Sequence, residues 1–367
     1  MGAHLTSAQL ASRETRAVES LCLSMIREWM TRAVKPGPFS PPGLVVAVND
    51  AVEVCGVDGA GVPLSVDAVW PLTCLTKLAL ADLAVKHLPL DAPITDWLPE
   101  VSPVSIRALL THTAGLPLDL PGDLYGVLDA EGVRRATLAV RPTLPPGAMS
   151  YSNIGYGWIS MALERQMGWS LRELWAAYGL CCGADVIRPV AISDISSPHA
   201  GTALEPIQSG YWRSLALPWA GAFGTLTALR KLFDSLDPRV CSVRIAGSGG
   251  FPAGAFFGCE PGGGCVWDDV AWGCGVEFRG TKRPHWITPN ASPESYGHMG
   301  SSGILIWRDG NTTFLLAGPR RTEGGWMLRH GPKASGLAFT THAGSITPEL
   351  LPPSHGPSRP PLRAAGR

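Results

Sequence analysis

Apolar residues recur at helical spacing between Glu14 and Ala33, where Val18, Leu21, Cys22, Met25, Ile26 and Trp29 fall along one side. That spacing predicts an amphipathic helix packed on a core. Pro36, Pro41 and Pro42 then break the pattern, because proline lacks the amide hydrogen a helix interior needs. Two valine-rich runs follow, Gly43–Asn49 and Ala51–Val57. They predict a hairpin turning near Asn49-Asp50. A second helix is expected from Cys74 to about His87, with Leu75, Leu78, Ala79, Asp82 and Val85 along it and Thr73 as its cap.

From Asp91 to about Leu236 the pattern is mainly helices and loops, with short periodic segments at Ser105–Thr111, Ile154–Met167 and Leu226–Leu236. Gly247–Gly264 is glycine-dense and reads as a long mobile loop. Strand character returns at Ala271–Phe278, Gly303–Trp307 and Thr312–Ala317, with Asp309-Gly310 as the turn between the last two. Arg320–Gly336 contains Gly324-Gly325, Gly331-Pro332 and Gly336, and predicts a poor helix. Residues 346–367 are rich in Pro, Ser and Arg and predict a disordered tail. The fold class expected is α+β: an antiparallel β-sheet flanked by helices, with an inserted all-α lobe. It would be one domain over 1–345, the sandwich built from about 1–88 and 270–345 and the helical lobe from about 89–269. The cleft between the two parts is the expected ligand site.

Composition narrows the function. The chain has 367 residues, 45% of them apolar, and a net charge of zero. There is no electrostatic footprint for nucleic acid or an anionic membrane. No apolar run reaches the ~18–20 residues a spanning helix needs. The start lacks the basic stretch and apolar run of a signal peptide, so a cytoplasmic protein is expected. Nine cysteines, an odd number, fit reduced thiols better than a disulfide framework. Cys181-Cys182 are adjacent and Cys259 and Cys265 flank a glycine run, without C-x-x-C spacing or a histidine pair. No metal site is expected. Nothing in the pattern specifies an oligomeric state.

Three short motifs carry candidate chemistry: Cys74-Leu75-Thr76-Lys77, Tyr151-Ser152-Asn153 and His298-Met299-Gly300. At a helix start, Cys74 would sit at the positive end of the helix dipole, which favours a thiolate. Lys77 shares its helix face. As an ammonium it would lower the thiol pKa; if desolvated and neutral, it could take the proton instead. Tyr151 could carry a proton to the leaving group, and Asn153 could orient Lys77 or the substrate. His298 would offer an imidazole before a strand, and Gly300 would let a substrate backbone approach the strand edge. Backbone N–H groups of Cys74 and Ser301 would form an oxyanion hole. Each motif alone has a plainer explanation. A lone cysteine is usually a small buried apolar residue, Asn153 could simply cap a helix, and His-x-Gly could be a bulge.

Their company points further. Leu109-Leu110-Thr111-His112-Thr113-Ala114-Gly115-Leu116-Pro117 lies between the first two motifs, and Trp219-Ala220-Gly221-Ala222-Phe223-Gly224-Thr225 precedes a helical segment. With Tyr151-Ser152-Asn153-Ile154-Gly155-Tyr156 and Gly297-His298-Met299-Gly300-Ser301-Ser302-Gly303, these segments resemble signatures of the serine β-lactamase and penicillin-binding-protein superfamily. The nearest branch is that of class C enzymes and esterases. The resemblance spans roughly residues 43–318. It implies Cys74 at the acyl-accepting position, Lys77 beside it and Tyr151 as general base or acid. Asn153, His298 and Gly300 would position the substrate, and His112 would be structural. The superfamily needs no metal or organic cofactor, and its members act on small acyl substrates. Three departures stand out: cysteine replaces the nucleophilic serine; Met299 replaces a small hydroxyl residue, which argues against β-lactams; and the poor helix over Arg320–Gly336 stands where relatives pack a helix on the sheet after the last strand. Two readings of function follow. One is an acyl-enzyme hydrolase or acyltransferase acting on a small ester, thioester or amide through Cys74. The other is a catalytically silent binding protein of the same fold. A redox-sensing role for Cys74 would need a resolving cysteine, and none is evident.

Overall fold

The computed structural model describes residues 22–35, 40–193, 209–251, 265–282, 285–321 and 326–339. In chain order these form α1 (22–33), β1 (Gly43–Val48), β2 (Ala51–Gly56), β3 (Val69–Pro71), a 3₁₀ turn (Thr73–Leu75) and α2 (Thr76–His87). Then come α3 (Ile106–Leu110), α4 (Ala130–Ala139), β4 (Met149–Ser150), α5 (Asn153–Met167), α6 (Leu171–Ala176) and β5 (Cys181–Cys182). Next are α7 (Gly210–Leu215), β6 (Ala222–Thr225), α8 (Leu226–Asp234), α9 (Arg239–Ser242), β7 (Ile245–Phe251) and β8 (Cys265–Trp272). The last are β9 (Glu277–Phe278), β10 (Tyr296–Gly300), β11 (Ile304–Asp309), β12 (Thr312–Ala317) and α10 (Trp326–Phe339).

The main sheet has nine strands in the order β2-β1-β12-β11-β10-β9-β8-β7-β4, antiparallel except for the β4–β7 pair. The hairpin between β1 and β2 turns at Asn49-Asp50. Asn49 adopts φ 51°, a left-handed conformation asparagine tolerates, and its Oδ1 accepts from Thr313 N–H at 3.0 Å. Alternation along the strands splits the core into two layers. Leu44 and Val46 on β1, Leu305 and Trp307 on β11, and Phe314 and Leu316 on β12 pack with α1 and α10. Their neighbours Val45, Ala47, Ile304, Ile306, Leu315 and Ala317 face α2 and α5. The expected α+β architecture is therefore present: helices on both faces of an antiparallel sheet, with a helical region beside it. No helix among the described residues is long and apolar enough to cross a membrane.

Four local expectations need correction. The sheet takes in β4 and β7 from the span read as the helical lobe, and β3, β6 and β5 form a second, three-stranded sheet. Residues 247–251 of the glycine-dense stretch belong to β7 and pair with β8 across a register shift at Gly247/Gly249; residues 252–264 lie outside the described set. The helix at position 74 starts later than expected: Thr73 does not cap it, and α2 begins at Thr76 behind the 3₁₀ turn. Finally, α10 is a regular helix of 14 residues despite Pro332 inside it. Burial of Trp326, Met327, Ala334, Leu337, Ala338 and Phe339 against the sheet overrides weak propensity. Gly331 is there for closeness, since a Cβ at that position would lie 2.3 Å from Trp286 O. Residues 1–21 and 340–367, including the 346–367 tail, fall outside the described set.

Candidate active site

Cys74 occupies the 3₁₀ turn between β3 and α2. The residue before it, Thr73, is fully buried with φ 47°, a left-handed conformation that is costly for a β-branched side chain. Thr73 Oγ1 lies 3.3 Å from Ser302 Oγ and accepts weakly from Ser302 N–H at 3.4 Å. That hydroxyl is thus committed to the β10–β11 loop, which explains why it caps nothing. The same loop brings β10 against the turn. A Cβ on Gly300 would meet Thr73 Oγ1 at 2.4 Å, Leu72 O at 2.7 Å and Cys74 N at 3.6 Å. Only glycine lets the strand come this close. β9 pairs with β10 only at Tyr296 and Gly297. Cys74 lies in the first turn of a helix, where an N–H has no intrahelical acceptor, and Ser301 directly follows Gly300. Gly300, the residue before Ser301, thus lies against the turn that carries Cys74.

Lys77 is fully buried in the first turn of α2. Its Nζ donates to Trp219 O at 3.1 Å and sits 4.9 Å from the Tyr151 ring centroid and 5.8 Å from that of Tyr156. The sharp turn at Leu217–Gly221 presents that carbonyl, with Gly221 N–H donating to Leu217 O. Burial holds the Lys77 ammonium below its ordinary value, while Cys74 and Asp119 act in the opposite direction. The Cys74 thiol interacts with both Lys77 and the Tyr151 hydroxyl. Tyr151 is buried, and desolvation keeps its phenol protonated well above the ordinary range. Cys74 and Lys77, from one segment, therefore converge with Tyr151 from another.

Tyr151 is held by aromatic packing. His112, also left-handed at φ 59°, stacks on it at 4.3 Å, and Trp272 lies 5.4 Å away. His112 Nδ1 accepts from Ser152 N–H at 3.1 Å, and His112 O accepts from Ser150 N–H at 2.8 Å. Burial pushes its imidazole well below the usual value, so it is a neutral acceptor. His298 is likewise buried, with Nδ1 2.7 Å from Met299 O. Desolvation, aided by Lys77, takes it down to about 3. It is a neutral imidazole near Tyr151 and Trp272, at 6.1 and 5.5 Å between ring centroids. Met299 is buried and brings no hydroxyl.

Asn153 opens α5 but does not cap it; Ser152 does, accepting from Gly155 N–H. Among the described hydrogen bonds, none joins Asn153 to Lys77. Instead Asn153 Nδ2 donates to Asp119 Oδ2 at 2.7 Å, a residue sequence reasoning missed. Asp119 Oδ1 also accepts from Leu120 N–H at 2.8 Å and Tyr125 Oη–H at 2.6 Å. Burial raises the Asp119 carboxyl above its ordinary range, and these hydrogen bonds and Lys77 oppose the rise. A polar residue just after the Leu116-Pro117 segment was the available signal, without any spacing rule to identify it. Trp219 was missed because its contribution is a backbone carbonyl. Among the described residues, no group of three or more His, Cys, Asp or Glu could hold a metal ion.

Comparison with known proteins identifies the family. The sequence model of the Beta-lactamase family matches residues 30–317. Esterase EstB from Burkholderia gladioli is 34% identical over 138 residues, covering 30% of this chain and 35% of the esterase. The match thus spans about a third of that curated relative's length. Among solved structures, the D-amino acid amidase from Ochrobactrum anthropi SV3 superposes with a TM-score of 0.65 at 17% identity, over 90% of this chain and 100% of the amidase. EstCE1, a hydrolase with promiscuous acyltransferase activity, superposes with a TM-score of 0.62 at 16% identity, over 86% of this chain and 98% of its own. At such identities the superpositions speak for the fold alone, whereas the family match covers most of the chain: this protein belongs to the Beta-lactamase family.

Proposed function

We propose that the protein is an acyl-enzyme hydrolase or acyltransferase that uses Cys74 as its nucleophile on a small ester, thioester or amide. The observation that carries this is the meeting of the Cys74 thiol with two buried proton-carrying groups, Lys77 and Tyr151, whose Nζ and ring centroid lie 4.9 Å apart. Burial favours the neutral form of each group, an amine on Lys77 and a phenol on Tyr151. Lys77, poor at holding a proton when desolvated, takes it from the thiol. The thiolate attacks the acyl carbon, and the developing oxyanion meets the N–H groups of Cys74 and Ser301. Tyr151 gives its phenolic proton to the leaving group as the acyl–leaving-group bond breaks, and Lys77 returns a proton to Tyr151. The acyl-enzyme is a thioester, which favours attack by amines or thiols over water more than an oxoester does. Gly300 admits the substrate to the β10 edge, and Asn153 and His298 shape the pocket. The esterase and acyltransferase named among the similar proteins support the same reaction class. Small acyl compounds are the expected partners, and a cytoplasmic setting would keep the thiol reduced.

Lys77→Met tests the assignment, since it keeps the buried volume and removes the base. A loss of about 10²- to 10⁴-fold in kcat/KM on p-nitrophenyl butyrate, with an unchanged fold by circular dichroism, is expected for a general base. Activity within a factor of about two of wild type would overturn the role given to Lys77.

A further inference from the structure

We infer that the cavity between α8 and the β2-β1-β12 edge of the main sheet binds a free aliphatic carboxylate of medium chain length. Its floor is one row of side chains running across three strands. Val52 on β2 pairs with Ala47 on β1, and Ala47 pairs with Leu315 on β12. Ala47 brings only a methyl group to the centre of that row, so the row dips between its larger neighbours. Val45 on β1 and Leu226 on α8 close the sides, and the space measures about 230 Å³. A cavity of about 150 Å³ takes benzene, so this one has room for roughly six to nine carbons. The mouth is apolar too, for Val52 and Val66 line it and are 43% and 45% exposed. Large apolar side chains left in water beside a cavity mark a surface that a ligand covers.

The polar groups around the cavity select the head of the ligand. Thr227, Arg230 and Lys231 line it from α8 and, at spacings of three and four, share one face of that helix. Each can donate a hydrogen bond. Arg230 is already matched: its Nη2 pairs with Asp50 Oδ1, and its Nε lies 3.4 Å from Asp234 Oδ2. Asp50, the carboxylate that lines the cavity, is thereby spent on Arg230. Lys231 takes part in none of the ion pairs among the described residues, so it is the cation left over. Thr227 sits in the first turn of α8, where the helix dipole is positive. An apolar floor beside an unmatched ammonium fits an amphiphile with an anionic head. An amine would be repelled there, and an alcohol would leave the charge unanswered. None of the lining residues belongs to the Cys74 site, so the inference stands apart from the acyl-transfer reading.

The test is isothermal titration calorimetry of the full chain with sodium octanoate, beside 1-octanol and octylamine as controls of equal chain length. Octanoate is expected to saturate one site and to bind about fivefold or more tighter than either control, the upper worth of an exposed ion pair. Lys231→Gln, on the exposed face of α8, is expected to remove that preference, weakening octanoate about fivefold and leaving octanol unchanged. Ala47→Leu fills the floor and is expected to abolish octanoate binding, with an unchanged circular dichroism spectrum. Should Ala47→Leu fail to fold, Lys231→Gln decides alone. Octanoate that does not saturate, that binds no tighter than octanol, or that keeps wild-type affinity in Lys231→Gln would overturn the site. The readout is binding, so it holds whether or not Cys74 accepts an acyl group.

Discussion

Gly300 shows how one missing methyl group builds the site. The turn bearing Cys74 and the strand bearing His298 touch through its Cα, with Thr73 Oγ1 and Leu72 O filling the space a side chain would take. Gly300→Ala puts a Cβ 2.4 Å from one and 2.7 Å from the other, so the turn must shift. Ångström-scale misplacement of a nucleophile costs about 10²-fold. Steady-state kinetics of Gly300→Ala should show a loss of that order, and unchanged kcat/KM would mean that the β10 edge does not set the position of Cys74. At this scale much was legible: Cys74, Lys77 and Tyr151 each follow from a residue type at a recognisable spacing. Asp119 was not, because its partner Asn153 lies 34 positions away and no local pattern joins them. The left-handed Thr73 was hidden for the same reason, since the loop that holds it comes from Ser302, 229 positions on.

Elements tell a parallel story, with α10 the sharpest case. Glycines and Pro332 spoke against a helix, yet the buried apolar face holds one. The glycine at 331 is a packing requirement, so helix propensity and packing pull a substitution in opposite directions. Alanine is worth about 1 kcal/mol over glycine inside a helix. Against that, a Cβ at 331 would lie 2.3 Å from the Trp286 carbonyl oxygen, and overpacking a core costs about 1–3 kcal/mol. Packing should win. Gly331→Ala should lower Tm in a thermal melt, and a rise would show that α10 has freedom to move off Trp286. Local periodicity revealed α5, α8 and the two hairpins because their burial patterns are regular. It misjudged α10, where tertiary contact decides, and β7, whose glycines read as a loop until pairing with β8 orders them.

The molecule as a whole buries basic groups around Lys77, and its stability should record this. His298 is held at about 3 by burial and by Lys77, whereas an exposed imidazole titrates near ~6.5. Below that pH the unfolded chain binds a proton the folded chain refuses, so stability falls as pH drops from ~6.5 toward 3. Urea melts across that window should show a falling midpoint, with a shallower decline in His298→Gln. Equal slopes would show that His298 is not buried neutral. The overall architecture was legible because alternating strands, a helical middle and returning strands permit few arrangements. Which strands lie in which sheet was not, since β4 and β5 are two residues each and carry no periodicity. The reaction proposed for this molecule turns on whether the thiol at its centre accepts an acyl group. The direct measurement is the intact mass after brief exposure to p-nitrophenyl acetate, for wild type, Cys74→Ala and Cys74→Ser. A single acetyl adduct on wild type that is lost in Cys74→Ala is the expected result. An adduct that persists in Cys74→Ala, or appears only in Cys74→Ser, would contradict a cysteine nucleophile.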